Sequence, residues 1–201
     1  MSDTVFTTDS LWQFANDFYQ KEGVEPLCLA LQDEFHLNVN VSLFAIWYAL
    51  TTRRILSKDD FRSLMSAIAV SDQKVVEFRS FRRKFLAQYN DTSASEFIAL
   101  KQSFLSLELQ LEKQVMADLV NFCRTSILPL AQSHLSIPND DNHSRLAALK
   151  SADATTIHFL AGENLENYFA AAIEQIPPAL LTLHQQLLSR LTQQAIAQQA
   201  A

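Results

Sequence analysis

Two glycines, Gly23 and Gly162, in 201 residues narrow the folds open to this chain more than any other feature of its sequence. Average usage would supply about 14. Sheet hairpins and phosphate-binding loops both need glycine, where φ turns positive or where backbone must approach a ligand closely. The chain is rich in Leu, Ala, Gln and Phe instead, so an all-α fold is expected, and the shortage of glycine argues against Rossmann and P-loop sites. A hydrophobic fraction of 48% and a charged fraction of 19% suit a globular protein with a sizeable core.

Apolar periodicity divides the chain into helices. Thr8 or Asp9 is expected to cap a first one, with Leu11, Phe14, Ala15 and Phe18 on its apolar face and Gly23 ending it. Pro26 suits the start of a second, striped by Leu27, Cys28, Leu31 and Phe35. Asn38 or Asn40 caps a third, which is apolar on nearly every side from Val41 to Leu50 and is therefore expected at the centre. Ser57 with Asp60 opens a short fourth helix, and Ser71 or Asp72 opens a fifth that runs to about Tyr89. A turn over 90–93 and the capping-box match from Ser93 to Glu96 lead into a sixth, stopped by Pro129. The expected organisation is a bundle of about six helices over residues 9–128, a polar linker over 129–143 and a smaller helical C-terminal extension over 144–201. The Gln- and Ala-rich end of that extension is expected to fray.

Charge is segregated within a net balance of −6. Residues 1–40 carry seven acids and one lysine, whereas residues 53–84 hold nine of the sixteen basic residues against four acids. Arg53, Arg54, Arg62, Lys74, Arg79 and Arg83 are the candidate interaction face. A helix-turn-helix across Ala69 to Ser71 would use the same block, but the turn lacks glycine, the second helix is lined with Phe and the rest of the chain is acidic. Helical projection also aims two charges at apolar faces: Arg82 between Phe78 and Phe85, and Glu108 between Phe104 and Leu111. A charge facing a core needs a partner, so Arg82 and Glu108 are expected to pair across neighbouring helices, with Asp17 and Asp33 as alternative partners. The same charges nominate Arg79, Arg82, Arg83, Glu108 and Asn40 as a ligand pocket.

No signal-peptide pattern begins the chain, and its longest apolar run is about half of a membrane span. Cys28 and Cys123 sit in helical patterns rather than in a disulfide framework. A soluble, cytoplasmic protein is expected. His36, His134, His143, His158 and His184 make no helical ligand pair, so no metal or cofactor is expected. Asp140, Asp141 and His143 read as a polar loop.

The segment Leu11-Trp12-Gln13-Phe14, then Gly23-Val24, Cys28 to Asp33, Val39-Asn40, Leu43-Phe44 and Trp47, resembles a family of small bacterial proteins of unknown function. Arg79 to Arg83 and Leu107 to Glu112 resemble its second, fainter block, so the likeness spans roughly residues 11–128. It departs at His36, where the family usually has Gly, and at Asn38, where it usually has Asp. The resemblance implies no activity. The leading expectation is a non-enzymatic protein-interaction or regulatory module whose partner is another protein, with self-association left open and neither membrane nor nucleic acid involved. The alternative is a protein that binds or acts on a small anionic metabolite through an Arg-centred pocket. The third is nucleic-acid binding through the basic 53–84 helix pair.

Overall fold

Ten consecutive residues, Asn40 to Ala49, are buried on one helix, and four other helices pack against it. A computed structural model describes residues 6–89, 95–129 and 154–199, with side chains from 155 to 191 in the last stretch. The described residues form seven α-helices and no strand: α1 (Thr8–Tyr19), α2 (Val24–Asp33), α3 (Val39–Thr52), α4 (Lys58–Leu86), α5 (Ser95–Phe122), α6 (Ala154–Ala172) and α7 (Pro178–Gln199). None of them is long and apolar enough to cross a membrane. The turn at 90–93, most of the linker with Asp140, Asp141 and His143, and the first residues of the expected C-terminal extension, 144–153, lie outside the described residues.

Caps account for most boundaries. Thr7, rather than Thr8 or Asp9, caps α1 in a reciprocal box with Ser10. Gly23 does not end α1, whose C-cap is Gln20; its left-handed φ of 79° instead starts α2. Asn38 caps α3 by accepting from the N–H groups of Asn40 and Val41. Ser57 and Asp60 form the expected capping box at the start of α4. That helix then runs unbroken for 29 residues, so the expected fourth and fifth helices are one. Ser71 caps nothing: its hydroxyl donates to the Ile68 carbonyl inside the helix, and the turn that a helix-turn-helix requires is absent. After Phe122 the α5 path continues through a π turn, Cys123–Ile127, up to Pro129.

The segment expected to be a mere extension supplies much of the core. Helix α6 lies against α3 and α4, and α7 packs on α6 and α2. Leu165, Tyr168, Phe169 and Leu180 are among the most buried residues of the molecule. Asn164, fully buried, ties α6 to the α3–α4 connection: its Oδ1 accepts from the Leu56 N–H at 2.7 Å, and its Nδ2 donates to the carbonyls of Ala45 and Arg54. Tyr168 accepts from the Asn38 N–H at 2.8 Å and donates to the Asn38 carbonyl. Through Tyr168, α6 thus fixes Asn38 at the start of α3, which borders the site described next.

The outer halves of α4 and α5 reach beyond this core. They are held to each other by aromatic rings, with Phe104 of α5 against Phe78, Phe81 and Phe85 of α4, and Tyr89 against Phe97. Leu107 is exposed, and its neighbour Glu108 takes the buried position.

Candidate functional site

A cleft of about 930 Å³ lies between α1, α2, the 34–38 connection, the start of α3 and the middle of the α4–α5 pair. Its size is that of a small-molecule site. Helical spacing brings Asp72, Val75, Val76, Arg79, Arg82 and Arg83 of α4 to one lining face, opposite Glu108, Leu109, Glu112 and Met116 of α5. Trp12 and Tyr19 of α1 close another wall. Gln32 serves Arg79, and the Lys113 ammonium stands over the Trp12 ring at 5.8 Å.

Arg79 is the hub of the charged wall. Its Nε donates to Glu108 Oε1 at 2.7 Å, its Nη1 to Gln32 Oε1 at 2.7 Å, and its Nη2 to Glu112. The expected Arg82–Glu108 pair is present as well, with Nε 2.7 Å from Oε2. The Arg82 N–H is not aimed along that line, so both atoms are buried without a hydrogen bond between them. Burial by itself would favour discharging Arg79, but Glu112 and Glu108 outweigh it and raise its hold on its proton. Burial also lifts the Glu112 carboxyl above the ordinary glutamate range, against the pull of Arg79.

A second polar group sits where α3 begins. With its Oδ1 engaged in capping, Asn38 donates from Nδ2 to Asp72 Oδ1 at 2.7 Å. Burial raises the Asp72 carboxyl above the ordinary aspartate range, partly opposed by the charge of Arg79. Beside it, Asn40 is 7% exposed, lines the cleft and has no side-chain hydrogen bond among the described residues. Its amide N and O keep contact with solvent through the cleft, so the side chain is an accessible, uncommitted donor and acceptor there. His36, at the rim of the cleft, adopts a left-handed φ of 55°, the conformation suited to the glycine of the resembled pattern.

Asp72 gives a direct test of this electrostatics. Because its folded pKa is raised, the charge-free form is favoured by folding; that stabilisation is complete below the ordinary aspartate range and disappears as pH rises through the folded value. Asp72→Asn, which keeps an acceptor for Asn38, is expected to raise the melting temperature at pH 7 and to flatten the fall in stability from about pH 4 upward. Thermal melts across that range check it, and an unchanged slope would contradict the assignment.

Of the sequence-nominated ligand residues, the cleft gathers all five: Arg79, Arg82, Arg83, Glu108 and Asn40. Asp72 escapes sequence reasoning because it resembles a helix cap, although it lies seven residues, about two turns, before Arg79. The expected interaction face does not come together. Arg62 pairs with its neighbour Asp59 at 2.7 Å. Arg53 caps α3 in a left-handed conformation with its Nη1 buried and unpartnered. At 100° per residue Arg62, Lys74 and Arg79 point in different directions from α4. Only Arg79 and Arg83 of that set reach the cleft.

Within the expected Arg-centred pocket, the donors of Arg79 are already committed to two carboxylates and an amide, whereas Arg83 forms no ion pair among the described residues. Among the lining residues, Asp33, Asp72, Glu108 and Glu112 outnumber Arg79, Arg82 and Arg83 by one. The cleft therefore does not favour a simple anion. Burial pushes the Cys28 and Cys123 thiols up to about 12, so neither offers a thiolate at neutral pH. No group of three or more His, Cys, Asp or Glu among the described residues is arranged to hold a metal ion.

No curated protein and no solved structure matches this chain. A family model does, over residues 10–119, and that stretch contains every lining residue of the cleft. The chain belongs to this family, described as a protein of unknown function (DUF2390).

Proposed function

We propose that this protein binds a small polar molecule in the cleft between α1, α2, α3, α4 and α5. The carrying observation is the cleft itself, about 930 Å³ and lined by Asp72, Arg83 and the Asn40 amide, whose polar atoms open onto it without a side-chain hydrogen bond among the described residues. A purely structural ion-pair wall would explain Arg79, Glu108 and Glu112 but not Asn40 or the space in front of it. A cytoplasmic location belongs to this reading, supported by two free, buried cysteines. The test is thermal unfolding of the wild type and of Asn40→Leu in the presence of fractionated small molecules from a bacterial cell extract. A true ligand at about 100 times its Kd adds about 2.7 kcal/mol, which is roughly 5–10 °C for a chain of this size. The wild type is expected to shift and Asn40→Leu to shift far less. Equal shifts in the two would place binding elsewhere, and no shift with any fraction would remove the reading.

A protein-interaction reading keeps one specific observation. Phe81, Ile98, Leu105 and Leu107 are 40–52% exposed along the outer α4–α5 pair. If another protein docks there, Phe81→Lys with Leu107→Lys abolishes its capture from cell extract while Asn40→Leu leaves it intact. The opposite pattern would refute it.

A further inference from the structure

The distribution of charge along the cleft says more about what fits it. Arg79, Arg82, Glu108 and Glu112 neutralise one another in the middle of the charged wall. Of the charges left over on α4, Asp72 and Arg83 stand at the two ends of its lining, while Asp33 of α2 adds a further acid to the cleft. At one end Asp72 uses only Oδ1, on Asn38, and the unpartnered Asn40 amide accompanies it. At the other, Arg83 forms no ion pair among the described residues, and Arg82 engages only its Nε. Eleven residues of helix separate Asp72 from Arg83, about 16 Å at 1.5 Å per residue. The walls between them offer apolar surface from Leu43, Val76, Leu109 and Trp12.

We propose that the cleft takes a short linear peptide with free ends, its ammonium group at Asp72 and Asn40 and its carboxylate at Arg82 and Arg83. This deepens, and rests on, the reading of the cleft as a ligand site. At 3.3–3.6 Å per extended residue the separation corresponds to about four or five residues. The ammonium donates to the free Asp72 oxygen and to the Asn40 carbonyl. The carboxylate accepts from the guanidinium groups, and the mutually paired Arg79, Glu108 and Glu112 between the two ends do not select one side-chain charge. A single amino acid cannot span both ends, and a simple anion meets the extra acid.

Tetraalanine is the probe, with its N-acetylated form, its C-terminal amide and dialanine as controls, followed by tryptophan fluorescence. Trp12 lines the cleft whereas Trp47 is buried in the core, so a change on binding reports on Trp12. Tetraalanine is expected to bind saturably, and blocking either end is expected to weaken it by about tenfold or more, as is shortening to dialanine. Asp72→Asn should abolish the penalty for acetylation and Arg83→Gln the penalty for amidation, each keeping the wild-type circular dichroism. Equal affinity for free and blocked peptides overturns the proposal. So does failure of tetraalanine to bind while an extract fraction still stabilises the wild type but not Asn40→Leu; in that case the ligand site stands and the peptide does not. If no extract fraction stabilises the wild type either, both fall.

Discussion

A chain ending at Pro129 is expected to lose cooperative thermal unfolding and to bind hydrophobic dye. The family model stops at residue 119, and the sequence suggests a core complete by Leu128. The packing argues otherwise. Removing α6 and α7 takes away Ala161, Leu165, Tyr168, Phe169, Leu180, Leu187, Leu188 and Leu191, and uncovers their partners on α3 and α4. Fully burying one large apolar side chain is worth about 1.5–3 kcal/mol, so several together exceed the roughly 5–15 kcal/mol by which a domain is stable. Three backbone groups held by Asn164, the N–H of Leu56 and the carbonyls of Ala45 and Arg54, would also lose their partner. Circular dichroism melts and dye fluorescence read the outcome. A sharp two-state melt of the short chain would show that α1 to α5 form a self-sufficient domain and that α6 and α7 are dispensable.

The second large effect concerns the charged wall. Arg79→Met leaves Glu108 and Glu112 sharing one poorly aligned arginine in a buried setting, and a loss of about 3 kcal/mol is expected. Adding Glu112→Leu restores one base to one acid and should recover more than half of it. Arg82→Met should cost less than Arg79→Met, because Arg82 makes one contact and Arg79 makes three. The sign with pH follows from Glu112. Its raised folded pKa means that ionised Glu112 opposes folding at neutral pH and that protonation relieves the opposition as pH falls through the folded value. The deficit of Arg79→Met is therefore expected to shrink on acidification. Chemical denaturation at pH 7 and near pH 5 measures it; a deficit independent of pH, unrelieved by Glu112→Leu, would show that lost packing rather than charge is responsible.

Much of the cleft is legible in the sequence because charge is easiest to interpret where it is out of place. Arg82 and Glu108 stand inside apolar stripes, and a lone buried charge is costly enough that helical projection demands a partner for each, with each other as the simplest choice and Asp17 and Asp33 as alternatives. What projection does not supply is the rank among neighbours. Arg79, one turn earlier and on the edge of the stripe, reaches two carboxylates and Gln32 because α5 and α2 both approach it, and the approach of separate helices is not written in local periodicity. Asp72 shows the same limit. Near serine it reads as a cap, yet in a helix that continues through it the same carboxylate faces the cleft.

The sequence by itself determined the all-α class, through its two glycines, and the central place of α3, through an apolar run with no polar face. It also determined the capping box at Ser57, where the signal is confined to three or four adjacent residues. Tertiary structure alone decided that α4 is unbroken, since no tertiary demand for a turn exists near Ser71 and helical hydrogen bonding continues by default. It alone decided that α6 is a core helix and that Tyr168 holds Asn38 across 130 residues of chain. The freedom of the Asn40 amide was decided in the same way. Asn38 and Asn40 carry the same chemistry two residues apart, and only the direction in which α3 enters the core makes one a cap and leaves the other facing open space.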